Sequence, residues 1–181
     1  MERTLELRDI AGNISHDLHI TTDRTAGTHP VYCAGKERLY VTGFERGINI
    51  KFCKAVMRPL SDLNRTVTHN GKEIIPIVEC AKIAEPDYDW KINRKMAKRE
   101  IIYETWTDKV FFGYTGLHRY FKFTEKDDRY FYSVYQNDNM EYIPDQVPLF
   151  DYLHELKIDY RGLIDSGLAI DANKLEINPY K

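Results

Sequence analysis

The pair Asn70-Gly71 is the place where this chain has least freedom. Both residues accept positive φ, and they stand between Thr66-Val67-Thr68 and Glu73-Ile74-Ile75, short runs that read as paired strands joined by a type I′ turn. Upstream, Pro59 fixes its own φ and biases Arg58 toward an extended conformation, so an incoming strand stops there. Ser61 or Asp62 can then cap a short helical turn. Strand end, cap and hairpin thus follow one another between Met57 and Ile77. The segment reads as a folding module, since it carries neither a nucleophile beside a base nor metal-ligand spacing.

Apolar patterning extends the reading in both directions. Leu5 to Ala11 fits a short helix with Thr4 as its cap and Gly12-Asn13 as its stop. Leu18 to Thr21 alternates as a strand, Thr25 to Pro30 has loop chemistry, and Leu39–Phe44 and Ile48–Phe52 read as two further strands around Glu45-Arg46-Gly47. Pro76 opens a helix that runs to Ala84 and is expected to pack on this first sheet. Past the polar break Glu85–Asp89, the runs Val110–Tyr114, Arg119–Phe123 and Arg129–Tyr135 have strong β-propensity and predict an antiparallel meander. It either continues the first sheet or forms a second small one. Pro148 opens a C-terminal helix with Leu149, Phe150, Leu153 and Leu156 on one face. The expected class is α+β, mainly antiparallel sheet with short helices at the N-terminus, around 76–84 and at the C-terminus.

Size and charge bound what such a chain can do. The 181 residues suit one domain, with a subdivision near 85–90 that separates a helix-and-sheet half (1–85) from basic-aromatic strands (86–146) and a C-terminal helical segment (147–181). A formal net charge of -2 removes the global electrostatic argument for nucleic acid or membrane, so any such binding must come from a local patch. Cys33, Cys53 and Cys80 are odd in number and lack CxxC spacing, which predicts reduced thiols in a cytosol and no structural zinc. No apolar run approaches the roughly twenty residues of a membrane span, and no leader pattern opens the chain. The expected location is cytoplasmic.

Two segments carry a resemblance. Arg58-Pro59-Leu60-Ser61-Asp62-Leu63 with His69-Asn70-Gly71-Lys72-Glu73-Ile74-Ile75-Pro76-Ile77, and Gly162-Leu163-Ile164-Asp165-Ser166-Gly167-Leu168-Ala169-Ile170-Asp171, resemble a family of small uncharacterised proteins encoded by phages, prophages and mobile elements of gut Bacteroidetes. The resemblance implies an accessory protein in the cytoplasm of a bacterial host. It leaves residues 86–146 uncovered, so that region is where a specific activity would lie.

Candidate chemistry concentrates there. Lys91, Arg94, Lys95 and Lys98 recur at helical spacing, with Arg99 adjacent, and Arg119, Tyr120, Arg129, Tyr130 and Tyr132 follow on the aromatic strands. Cations for phosphates beside aromatic platforms for bases are what single strands require, although half of these side chains must face a core. Exposed tyrosine and arginine are also the usual anchors of protein interfaces. A host or phage protein is therefore the first expectation for a partner, with a nucleotide or single-stranded nucleic acid as the alternative. His16 and His19, three apart around Asp17, are the metal candidates of a third reading, a metal-dependent hydrolase. On a strand they face opposite ways, and no second ligand cluster supports them. No motif nominates a catalytic residue, and no fingerprint nominates a cofactor.

Overall fold

The computed structural model describes residues 3–23, 25–87, 119–126, 129–136 and 139–181. They form an α+β arrangement of mostly antiparallel sheets, as the patterning predicts. The chain divides into two compact units. The first comprises residues 1–60 and 153–181, and the second residues 61–152. Among the described residues, no helix is long and apolar enough to cross a membrane.

The first unit opens with helix α1 (Leu7–Ile14). Glu6, not Thr4, starts it: the Glu6 side chain accepts from the helix's first turn, while Asp9 accepts the Glu6 backbone N–H at 2.9 Å. This reciprocal pairing satisfies donors that a helix start leaves open. The helix also runs through Gly12-Asn13 instead of stopping there. Both residues serve packing: the Asn13 amide donates to the His154 carbonyl at 3.1 Å, and a Cβ at Gly12 would lie 2.5 Å from the His154 ring.

Strands β1 (His19–Thr22), β2 (Thr25–Ala34), β3 (Arg38–Val41) and β4 (Ile48–Asn49) form an antiparallel succession. Residues Thr25 to Pro30, expected as loop, are the first part of β2. Gly27 sits there at φ +87°, a left-handed conformation that helps β2 accommodate the extra residues where its register with β1 shifts between Ile20 and Thr22. The run expected as a strand over Ile48–Phe52 turns instead into a 3₁₀ helix at Ile50–Phe52, capped where Asn49 Oδ1 accepts the Lys51 N–H at 3.1 Å. Strand β5 (Cys53–Pro59) ends at the proline, as predicted.

The C-terminal segment completes this sheet from far along the chain. Strands β11 (Ile158–Asp159) and β12 (Ala169–Asp171) both pair with β5, in parallel. The core enclosed includes Leu5, Ile10, Leu18, Ile20, Leu39, Ala55, Met57, Leu163 and Leu168. Tyr180 closes one end of it. Its hydroxyl accepts the His19 N–H at 3.1 Å and donates to the Val56 carbonyl at 2.7 Å, while Arg58 donates to the Tyr180 carbonyl at 2.5 Å.

In the second unit, β6 (Val67–His69) and β7 (Lys72–Ile74) form the predicted hairpin with Asn70 and Gly71 at φ 50° and 72°. Both φ values are positive, which a type I′ turn requires. Helix α2 (Pro76–Ala84) begins at the proline and stops before Glu85-Pro86, again as predicted. Buried Cys80 on this helix meets the Tyr132 hydroxyl at 3.7 Å.

The second and third aromatic runs lie in β8 (Arg119–Lys126) and β9 (Arg129–Gln136), which with β10 (Asn139–Tyr142), a strand the patterning does not name, form a three-stranded sheet in the order β10-β9-β8. Helix α3 (Val147–Glu155) follows. Gln146 extends the pairing of β9 past the end of β10: its side-chain amide accepts the Tyr132 N–H and donates to the Tyr132 carbonyl, each at 2.8 Å.

Candidate functional site

The residues predicted to bind separate once their positions are known. Lys91, Arg94, Lys95, Lys98 and Arg99 lie outside the described residues, as does the run Val110–Tyr114. Arg119 and Tyr120 are placed by backbone register alone, opposite Gln136 and Tyr135. Arg129 is exposed, and Tyr130 stacks on Phe123 with ring centroids 5.9 Å apart.

Tyr132 requires a correction. It is fully buried, packed against Phe121 and Phe123 at 5.2 and 4.8 Å and against Phe150 at 5.6 Å. The two-residue period of a strand places it across from Phe123 on the packed face, so its ring is core and presents nothing to a ligand.

His16 and His19 are also apart in role. His16 lies in the turn after α1, where its N–H donates to the Asn13 carbonyl at 3.1 Å. His19 opens β1, its Nδ1 3.3 Å from Thr28 Oγ1 and its ring edge-on to Tyr180 at 5.7 Å. Burial and then the Lys157 ammonium push its pKa below the ordinary value. Among the described residues, no three His, Cys, Asp or Glu side chains gather as a metal site. The buried thiols are poor nucleophiles: burial raises Cys53 to about 11 and Cys80 to about 12.

A different concavity emerges in the first unit. The loop from β3 to β4, with the 3₁₀ turn after it, frames a cleft of about 420 Å³ lined by Thr22, Arg38, Phe44, Arg46, Lys51 and Phe52, with Gly47 to Asn49 between them. Each side chain is positioned by local structure. Arg38 stands opposite Asn49 in the β3–β4 register and donates to the Gly47 carbonyl at 2.7 Å, which ties the loop to the strand. Gly47 is needed for that closure, since a Cβ would lie 3.0 Å from the Tyr40 ring and 3.2 Å from Arg38. Phe44 packs edge-on against His29 at 5.1 Å. Phe52 stays 40% exposed, and the Lys51 ammonium lies 4.9 Å from its ring centroid.

Three cations and two aromatic rings thus share one cleft, and no carboxylate lines it among the described residues. Such a surface attracts an anion by charge and holds a planar or apolar group by contact with the rings. In the sequence Phe44 reads as the end of one strand, Lys51 and Phe52 as the end of the next, and Arg46 as their connection. Only the turn at Ile50–Phe52 brings them to one wall.

Compared with known proteins, the chain matches no family model, no curated protein and no solved structure.

Proposed function

We propose that this chain acts by binding, as an accessory protein of a phage or mobile element in the cytoplasm of its bacterial host, and that the cleft framed by Arg38, Arg46, Lys51, Phe44 and Phe52 receives an anionic partner. The observation that carries the reading is the cleft's composition: cations and exposed aromatic surface together, with no acid among the described residues that line it. Arg and aromatic side chains are the groups that dominate recognition surfaces. A host or phage protein fits this reading if it presents an acidic face.

The test is calorimetric titration with tripolyphosphate and with poly-glutamate at low salt. Wild-type protein should bind at least one of them, with affinity that falls as salt rises. The double variant Arg46→Glu/Lys51→Glu should not bind, while keeping its fold, since both side chains are exposed. Anion binding that the double variant retains in full would remove the cleft from the reading.

A further inference from the structure

Beside the cleft lies a second recess of about 610 Å³, lined by Thr4 to Arg8, Lys36, Glu37, Asn49, Ile50 and Lys51. The two share Asn49 and Lys51, so they are consecutive compartments of one surface in the first unit. Each has a volume within the range of roughly 300–1,000 Å³ typical of small-ligand sites.

Their chemistry differs in a way that selects a ligand. The charged side chains described in the first compartment are all cationic, and two aromatic rings stand among them. In the second, Glu6 and Glu37 stand beside Arg8 and Lys36, and Glu6 pairs with Arg8 at 2.8 Å. The carboxylates offset most of the positive charge there and add hydrogen-bond acceptors. A ligand that fits both presents anionic groups at the shared Lys51 and in the first compartment, a flat face for Phe52, and N–H donors in the second. Nucleotides combine these features, and a strand repeats them from one compartment to the next.

We propose that the two compartments form a track for single-stranded nucleic acid, with Lys51 and Arg46 on phosphates, Phe52 under a base, and Glu37 and Glu6 accepting base N–H groups of the neighbouring nucleotide. The proposal rests on the anion-binding reading above and names its ligand. An unpaired strand is required because duplex bases hide their faces from an aromatic platform. An acidic stretch such as poly-glutamate would bring repeated charge but no flat base for Phe52 and no base N–H donors for Glu37 and Glu6.

The experiment is fluorescence anisotropy with a labelled deoxyadenosine strand of about six nucleotides, a length within the ~4–16 that single-strand-binding modules cover. Competition with adenosine monophosphate, tripolyphosphate and poly-glutamate completes it. The strand should bind at least tenfold more tightly than the mononucleotide. Phe52→Ala should weaken it about tenfold, as loss of one stacked base does. Lys51→Glu should weaken it comparably and flatten the salt dependence. Lys174→Glu, at an exposed position of a 3₁₀ turn in the same unit, should leave it unchanged, and circular dichroism checks the fold of each variant.

Four results obtained with the bound strand would overturn the proposal. These are a mononucleotide that binds as tightly as the strand, poly-glutamate that competes as well as the strand, affinity that the Lys51 and Phe52 variants leave intact, and affinity lost only in Arg94→Glu/Lys95→Glu/Lys98→Glu. Tripolyphosphate bound through Arg46 and Lys51 with no preference for the strand would end this proposal and keep the anion-binding reading. No binding of any anion would end both.

Discussion

Replacing Tyr180 with phenylalanine isolates one hydroxyl group that joins two strands. β1 and β5 pair with Ile20 opposite Ala55; one step further along that register, the His19 N–H and the Val56 carbonyl would face each other. The Tyr180 hydroxyl stands between them, accepting at 3.1 Å and donating at 2.7 Å. Burial raises its pKa well above the ordinary tyrosine value, so it remains protonated and able to donate. Phenylalanine keeps the ring, and with it the approach of Arg58 at 5.8 Å and Lys157 at 5.1 Å. The loss is therefore two hydrogen bonds. At about 1 kcal/mol net for each, the expected destabilisation is about 2 kcal/mol, rising if the strands cannot close the gap and both groups stay buried without partners. With a urea dependence of about 2 kcal/mol per molar, the denaturation midpoint should fall by about 1 M. Hydrogen exchange gives the local check, because the His19 amide should lose protection more than the amides of Thr21 and Ala55. A midpoint shift under about 0.2 M, with His19 exchanging at its wild-type rate, would refute the bridging role.

Three further outcomes are expected. Gly71→Ala should destabilise the second unit by about 1 kcal/mol in chemical denaturation, because φ is +72° and the added Cβ meets nothing within 4 Å, which leaves backbone strain as the cost. His19 has its folded pKa below the ordinary 6.5, so the unfolded chain binds more protons there; stability should decline as pH drops from about 6.5 toward the folded pKa, and the decline should be shallower in His19→Gln when midpoints are compared across that interval. With Cys33 exposed and Cys53 and Cys80 buried, a thiol reagent at mildly alkaline pH should modify one cysteine quickly in native protein and all three after denaturation; rapid native labelling of Cys80, whose pKa burial raises to about 12, would contradict the packing around Tyr132.

Elements whose determinants are adjacent in the chain were legible in the sequence. Asn70-Gly71 specifies its hairpin because positive φ is a property of those two residues, Pro59 ends β5 because it has no N–H to give, and Pro76 starts α2 for the same reason. The meander strands β8 and β9 followed from the strong β-propensity of their aromatic runs. What the sequence could not supply is the identity of partners distant along the chain. β5 takes β11 and β12 from the C-terminal segment, Gly12 and Asn13 stay helical because His154 packs against them, and Tyr180 reaches a gap between β1 and β5. The same holds for function. Tyr132 has the composition of a ligand platform, yet its strand face makes it core, whereas Lys51 and Phe52 read as the end of a strand and only the 3₁₀ turn found at Ile50–Phe52 places them in a cleft with Arg38 and Arg46. Local conformational energies are set residue by residue, but burial and the convergence of side chains depend on contacts between segments that sequence spacing does not encode.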